Sequence, residues 1–191
     1  VVVAAGNGFA ADCHAGGSLP KLRGRNLRWI VKPEDPSANT MEIWYDAGAE
    51  LLLTLATPAG TVLTPVPLGT PGRNLADSNG RLLGTVDHQQ AATPSGLNRI
   101  RISLNPTGSL PPGATTPLAP WGTWRSRLRN VGNVKARWDA WIERDTAGRP
   151  GGTRRMQSHF HPDDADPRCT LGSYATGKLS LVVGGYNTAT Q

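Results

Sequence analysis

Val1-Val2-Val3-Ala4-Ala5-Gly6-Asn7-Gly8 opens the chain as an unbroken run of β-branched and small apolar residues that stops at Gly-Asn-Gly. Such a run reads as a strand buried on both faces, the form strands take in a parallel sheet. The glycines let the backbone turn sharply and leave one polar amide, Asn7, at the strand's carboxyl end. Open α/β sheets place their chemistry there, although an ordinary Asn-Gly turn would carry the same residues. At the far end, Leu179-Ser180-Leu181-Val182-Val183-Gly184-Gly185-Tyr186 is a second buried-type strand, introduced by Ser173-Tyr174-Ala175-Thr176-Gly177. A chain that begins on a bare core strand, with neither Met nor a charged leader, is expected to be a piece of a longer protein.

Between these two runs the pattern changes to short alternating stretches. Glycine (23) and proline (16) together make up about a fifth of the 191 residues, and no helical-period stretch exceeds two turns. Leu27, Trp29 and Val31 point one way, and Met41, Ile43 and Tyr45 follow after a turn over 33–39. Leu51, Leu53 and Leu55 lead through Pro58-Ala59-Gly60 into Thr61-Val62-Leu63, a strand, a turn and a strand. Residues 81–86 form a further strand after Asn79-Gly80. Asn98, Ile100, Ile102 and Leu104 share a face, with Arg99, Arg101 and Ser103 outside. Trp124, Ser126 and Leu128 are expected to pair across Val131-Gly132-Asn133 with Val134, Ala136, Trp138, Ala140 and Ile142. About eight antiparallel strands with regular turn signals give a mainly β fold, an antiparallel jelly-roll β-sandwich.

VVVAAGN resembles the strand of subtilisin-like serine peptidases that delivers the oxyanion-hole asparagine. Ala175-Thr176 followed by Val183-Gly184-Gly185-Tyr186 resembles the next parallel strand of that family, which precedes the nucleophile, with Gly185 where Ala is common. The resemblance covers about forty residues. It implies that the two terminal strands lie side by side in a subtilisin-like α/β sheet and that Asn7 donates to a tetrahedral oxyanion. The Leu53–Leu63 hairpin is similar to one in jelly-roll modules that accompany many subtilases, some of which carry such a module between asparagine and nucleophile. The implied organisation is a core strand and turn over 1–15, a sandwich insertion over 16–166 and a return strand over 167–191. The insertion would brace the catalytic domain or shape substrate access. The implied partners are the remainder of the parent peptidase domain and, through it, a peptide or protein substrate.

The rest of that family's equipment is missing from the chain. Asp77-Ser78-Asn79-Gly80 is a turn sequence rather than a triad aspartate motif, and His14 is followed by Ala15-Gly16 instead of Gly-Thr. No Gly-Thr-Ser turn occurs, so the chain taken alone is expected to hydrolyse nothing. A non-catalytic β-sandwich that binds carbohydrate or protein stands as the alternative.

Cys13 and Cys169 flank the inserted segment just inside the two family-like strands, and would reach each other for a disulfide if those strands are neighbours. Two separate thiols are the other reading. Trp29, Trp124 and Trp138 fall on apolar faces and read as core. Trp44 and Trp141 fall on polar faces, beside Glu42, Asp46, Asp139 and Glu143, as surface or docking residues. The net charge of +6 is read as solvated sheet faces in an arginine-rich chain rather than as a nucleic-acid surface. Arg125, Arg127, Arg129, Lys135 and Arg137 form a basic stripe that cross-strand acids would balance. His159-Phe160-His161-Pro162-Asp163-Asp164-Ala165-Asp166 has metal-ligand residue types without the spacing of a calcium loop, and reads as a solvated loop. No metal and no cofactor is therefore assigned. No apolar run is long enough for a membrane, and whether the parent is secreted or held at the cell envelope is left open.

Overall fold

Alternation decides which side chains enter the core. In β5 (Leu51–Ala56) every second residue is buried, and in β8 (Asn98–Leu104) Asn98, Ile100, Ile102 and Leu104 are inside while Arg99 and Arg101 are not. The computed structural model describes residues 2–4, 10–107, 117–144, 157–170 and 181–184, with strands and no helix among them. Two antiparallel sheets face each other. One runs β2 (His14–Leu19), β10 (Ala136–Ile142), β4 (Asn39–Tyr45), β8, β7 (Leu82–Gln89), β6 (Thr70–Ala76). The other runs β11 (His159–Phe160), β3 (Gly24–Val31), β9 (Gly122–Asn130), β5.

The pairing is that of one long hairpin rolled up. β2 pairs with β10, β3 with β9 and β4 with β8, and β5 meets the following segment through bridges Leu53–Val66 and Ala56–Val62. The outgoing half therefore pairs in reverse order with the returning half, and successive members fall in alternate sheets. That is a jelly roll. The β6–β7 hairpin is inserted at the far end of the roll and widens one sheet beyond β8. Leu27, Trp29, Val31, Met41, Ile43, Leu51, Leu53, Ile100, Trp124, Leu128, Trp138 and Phe160 fill the space between the sheets. Trp29 sits directly opposite Trp124 across β3 and β9, both fully buried.

Three expectations change. β9 and β10 do not pair across residues 131–133: β9 lies between β3 and β5, and β10 lies between β2 and β4 in the other sheet. Both strands have one apolar face, and placing them in opposite sheets turns both faces to the same core. Asn130 holds this crossing. Its buried Nδ2 donates to Leu19 O at 2.9 Å and Val134 O at 2.7 Å, and its Oδ1 accepts from Gly132 N at 3.1 Å. The basic stripe consequently divides, Arg125, Arg127 and Arg129 lying on β9 and Arg137 on β10. Residues 61–63 contribute only an isolated bridge, with the Thr57–Thr61 turn closed by Thr57 N to Thr61 O at 2.9 Å.

Outside the sandwich, β1 (Val2–Ala4) and β12 (Leu181–Val183) form a two-stranded parallel sheet, with Val2 opposite Leu181 and Ala4 opposite Val183. The sequence pattern predicts burial on both faces, yet Val2 is 65% exposed, Leu181 65% and Val183 53%. The reason is that no third strand or covering layer flanks the pair among the described residues.

Candidate functional site at the neck of the sandwich

The site lies where the chain enters and leaves the sandwich. Asn7, the oxyanion candidate, lies outside the described residues, as do 173–177 and Tyr186 of the second family-like motif. The described chain resumes just before Cys13, whose carbonyl accepts from Ile142 N at 2.9 Å. The returning chain is stitched to this start by Phe160 N to Asp12 O and Asp166 N to His14 O, each 2.7 Å.

Cys13 and Cys169 turn their side chains to different faces. The physical reason is alternation at the start of β2. Cys13 packs toward the core, where burial pushes its thiol pKa up, whereas the next residue, His14, turns to the opposite face. Cys169 is exposed and belongs to that opposite face, in the turn beside His14 and Asp139. The bridge inferred from sequence position alone thus pairs side chains of different faces.

Trp44 and Trp141 do share the outer face of the six-stranded sheet, where Asp139 stands opposite Trp44 and Trp141 opposite Glu42. Both are half-buried and border a shallow hollow with Tyr45, Asp46, Thr93, Leu97, Arg137 and Asp139. Each ring meets one partner from within the chain. Arg99 stands over the Trp44 ring at 5.5 Å, a cation–π distance, while Trp44 Nε1 donates to Glu42 Oε2 at 3.1 Å. Trp141 leans on His14 with ring centroids 5.0 Å apart, and its Nε1 donates to Cys169 O at 2.9 Å. The most exposed tryptophan is Trp121, at 58%.

The acidic turn after β11 is a structural clamp. Asp164 Oδ2 accepts from Arg28 Nε at 2.7 Å and from Arg28 N at 3.0 Å, and Arg28 also reaches Asp163 at 3.0 Å. Partial burial pushes the Asp164 carboxyl up, but the Arg28 hydrogen bonds outweigh it and hold the group below its ordinary range. Hydrogen bonds from Arg168 hold Asp166 at about 2. His159 and His161 are engaged locally, with Phe160 O and Asp163, so the cluster singled out in the sequence does not converge.

A different set does. One donor atom each of His14, Asp139 and Cys169 lie within 4.8 Å of one another, the one such group of metal-ligand type found among the described residues. Sequence reasoning missed it because His14 and Asp139 are 125 positions apart in the chain, with no local motif to link them. The β2 segment His-Ala-Gly-Gly-Ser-Leu also shows no apolar alternation that would mark it as a strand.

Comparison with known proteins bears on the fold. No family model matches the chain, and no curated protein matches it in sequence. Among solved structures, the chain is similar to the Clostridium perfringens CspB protease, with a TM-score of 0.74 and 20% identity over 97% of this chain. It spans 34% of that protein's chain. At that identity the likeness establishes the fold, shared with one region of a larger protease.

Proposed function

We propose that this chain is a stretch of a subtilisin-like serine endopeptidase, supplying the oxyanion-hole asparagine and a jelly-roll insertion that braces the catalytic domain or shapes access to its cleft. The observation that carries the reading is the parallel pair β1–β12, which lies within the two family-like sequence runs and leaves Val2, Leu181 and Val183 exposed. Two strands alone cannot bury such residues, and parallel strands normally sit inside a sheet covered on both faces. The remainder of the parent peptidase domain is the cover this reading supplies. The fold likeness to one part of a protease supports the same reading.

In the parent, the Asn7 side-chain NH2 donates to the oxyanion that develops as a peptide carbonyl becomes tetrahedral, while nucleophile and base come from outside this chain. Asn7→Ala in the complete enzyme is expected to lower turnover by about a hundred- to a thousandfold, the loss known for removing the equivalent donor from a subtilisin. KM should change far less, because the donor acts mainly in the transition state. Near-wild-type turnover removes Asn7 from the mechanism. Serine-directed labelling or proteolysis by the 191-residue chain overturns the fragment reading. A carbohydrate-binding module is less well supported, since the rings of Trp44 and Trp141 are engaged by Arg99 and His14.

A further inference from the structure

His14 is almost wholly buried, at 1% exposure, and both of its ring nitrogens face acceptors. Nδ1 lies 3.1 Å from the backbone carbonyl of Asp166, and Nε2 lies 3.2 Å from Asp139 Oδ1. A neutral imidazole has one N–H and can satisfy only one of them. Two species satisfy both: an imidazolium, or a neutral ring whose Nδ1–H donates to Asp166 O while the Nε2 lone pair binds a metal that the carboxylate shares. The second is the usual outer-shell arrangement of a metal-bound histidine, with its other N–H fixed on a backbone carbonyl.

Cys169 distinguishes the two. An imidazolium–carboxylate pair has no use for a thiol, whereas here Sγ is the third donor of a group spanning at most 4.8 Å. Metal–ligand bonds of about 2.0–2.3 Å in a tetrahedron set donor atoms roughly 3.3–3.7 Å apart. The His14–Asp139 separation already fits, and the sulfur needs to move by about 1 Å or less on the same geometry. The surroundings keep the space open and aim the sulfur. At Gly16, opposite Asp139 on the adjacent strand, a Cβ would stand 2.6 Å from Asp139 Oδ1 and 3.4 Å from His14 Nε2. Cys169 takes a left-handed φ of 56°, and its carbonyl is held by Trp141 Nε1. The Asp166–Arg168 pair, 2.6 Å at its shortest, shapes the turn that presents both the Asp166 carbonyl and Cys169. Asp139 is one-third exposed and Cys169 is exposed, so an ion has a way in.

We propose that His14 Nε2, the Asp139 carboxylate and the Cys169 thiolate bind Zn²⁺ at the neck of the sandwich, with the fourth position left to water. Imidazole plus thiolate selects zinc over calcium or magnesium, which prefer oxygen ligands. Binding converts the Cys169 thiol to thiolate and releases its proton to solvent. The ion ties the start of β2, the middle of β10 and the returning turn together.

The test uses the 191-residue chain, reduced and stripped by chelator, then equilibrated with Zn²⁺ and desalted. Metal analysis is expected to give one zinc per chain, and thermal denaturation a higher midpoint with Zn²⁺ but not with Ca²⁺ or Mg²⁺. Substitution with Co²⁺ is expected to give a thiolate-to-cobalt charge-transfer band in the near ultraviolet. Cys169→Ser and Asp139→Asn, both at accessible positions, should lose the bound zinc with affinity falling ~100-fold or more, whereas Cys13→Ser should keep both zinc and band. Zinc retained by Cys169→Ser, a band that vanishes with Cys13→Ser, or no bound zinc in the wild type overturns the proposal and leaves a His14–Asp139 hydrogen-bonded pair.

Discussion

Asn130→Ala tests how the jelly roll is closed. The alanine removes three side-chain hydrogen bonds at the corner between β9 and β10: Leu19 O at 2.9 Å, Val134 O at 2.7 Å and Gly132 N at 3.1 Å. The backbone bonds of residue 130, to Arg23 O and from Leu22 N, survive the substitution. The bond to Leu19 O is buried, so stripping it costs about 1–3 kcal/mol, and each partly buried bond adds about 0.5–1.5 kcal/mol. The sum is about 4 kcal/mol at mid-range, a large share of the roughly 5–15 kcal/mol typical of whole domains. At about 2–4 °C per kcal/mol for a chain of this size, the melting midpoint should fall by ~8–16 °C. Urea unfolding followed by tryptophan fluorescence gives the free energy, with Arg129→Ala, at the neighbouring exposed position, expected within about 0.5 kcal/mol of wild type. Asn130→Asp should cost no less, since it keeps the acceptor for Gly132 N but sets a carboxylate against two carbonyl oxygens. A loss below about 1 kcal/mol for Asn130→Ala at unchanged m-value refutes the assignment of this side chain as the lock of the crossing.

Two further outcomes follow from buried contacts. His88 is fully buried with Tyr45 Oη 2.6 Å from Nε2 and Val66 O 3.2 Å from Nδ1, and desolvation lowers its pKa. The unfolded chain then binds the proton more readily below about pH 6.5, so stability is present above that pH and is lost as pH falls, by at most about 1.4 kcal/mol per unit. His88→Gln should flatten that slope between about pH 6.5 and 5 in urea titrations, and an equal slope in variant and wild type refutes the assignment. Gly84→Ala would drive a Cβ into Ser103 O and set it 2.9 Å from Leu104 Cα, both backbone of the paired strand, and should cost about 3 kcal/mol by overpacking. Gly72→Ala, in open space, should leave the urea midpoint near wild type, and equal effects of the two would refute the packing argument.

Strand faces were legible because burial in a sandwich follows a period of two, and Leu27-Trp29-Val31, Leu51-Leu53-Leu55 and Ile100-Ile102-Leu104 each go inside as their spacing requires. Partners were less legible. Short separation suggests a hairpin for residues 124–142, but the side-chain amide of Asn130 and the shared core send the chain to the opposite sheet instead. β6, with Pro71 and Gly72, and β2, with Gly16 and Gly17, lack the apolar alternation of a strand and form because their neighbours offer ladders. The neck cysteines were legible as positions near the two ends of the sandwich. Their side-chain directions were not, because those depend on the start of β2. His14 drew notice only as a failed His-Gly-Thr motif, and nothing local ties it to Asp139 or Cys169.

The rolled hairpin also explains why a sandwich can sit between two adjacent parallel strands. Neighbouring strands are about 4.8 Å apart, so anything inserted between them must return its end close to its beginning. A rolled hairpin meets that condition by construction, because the first strand of its outgoing half pairs with the last strand of its returning half. Here β2 pairs with β10 over all six of its residues, from His14 to Leu19. The return is tightened one step further by β11, which brings Phe160 N to Asp12 O and carries Asp166 N to His14 O. Both contacts fall at the exit of the roll, on the same few residues that hold Cys13, His14 and Cys169.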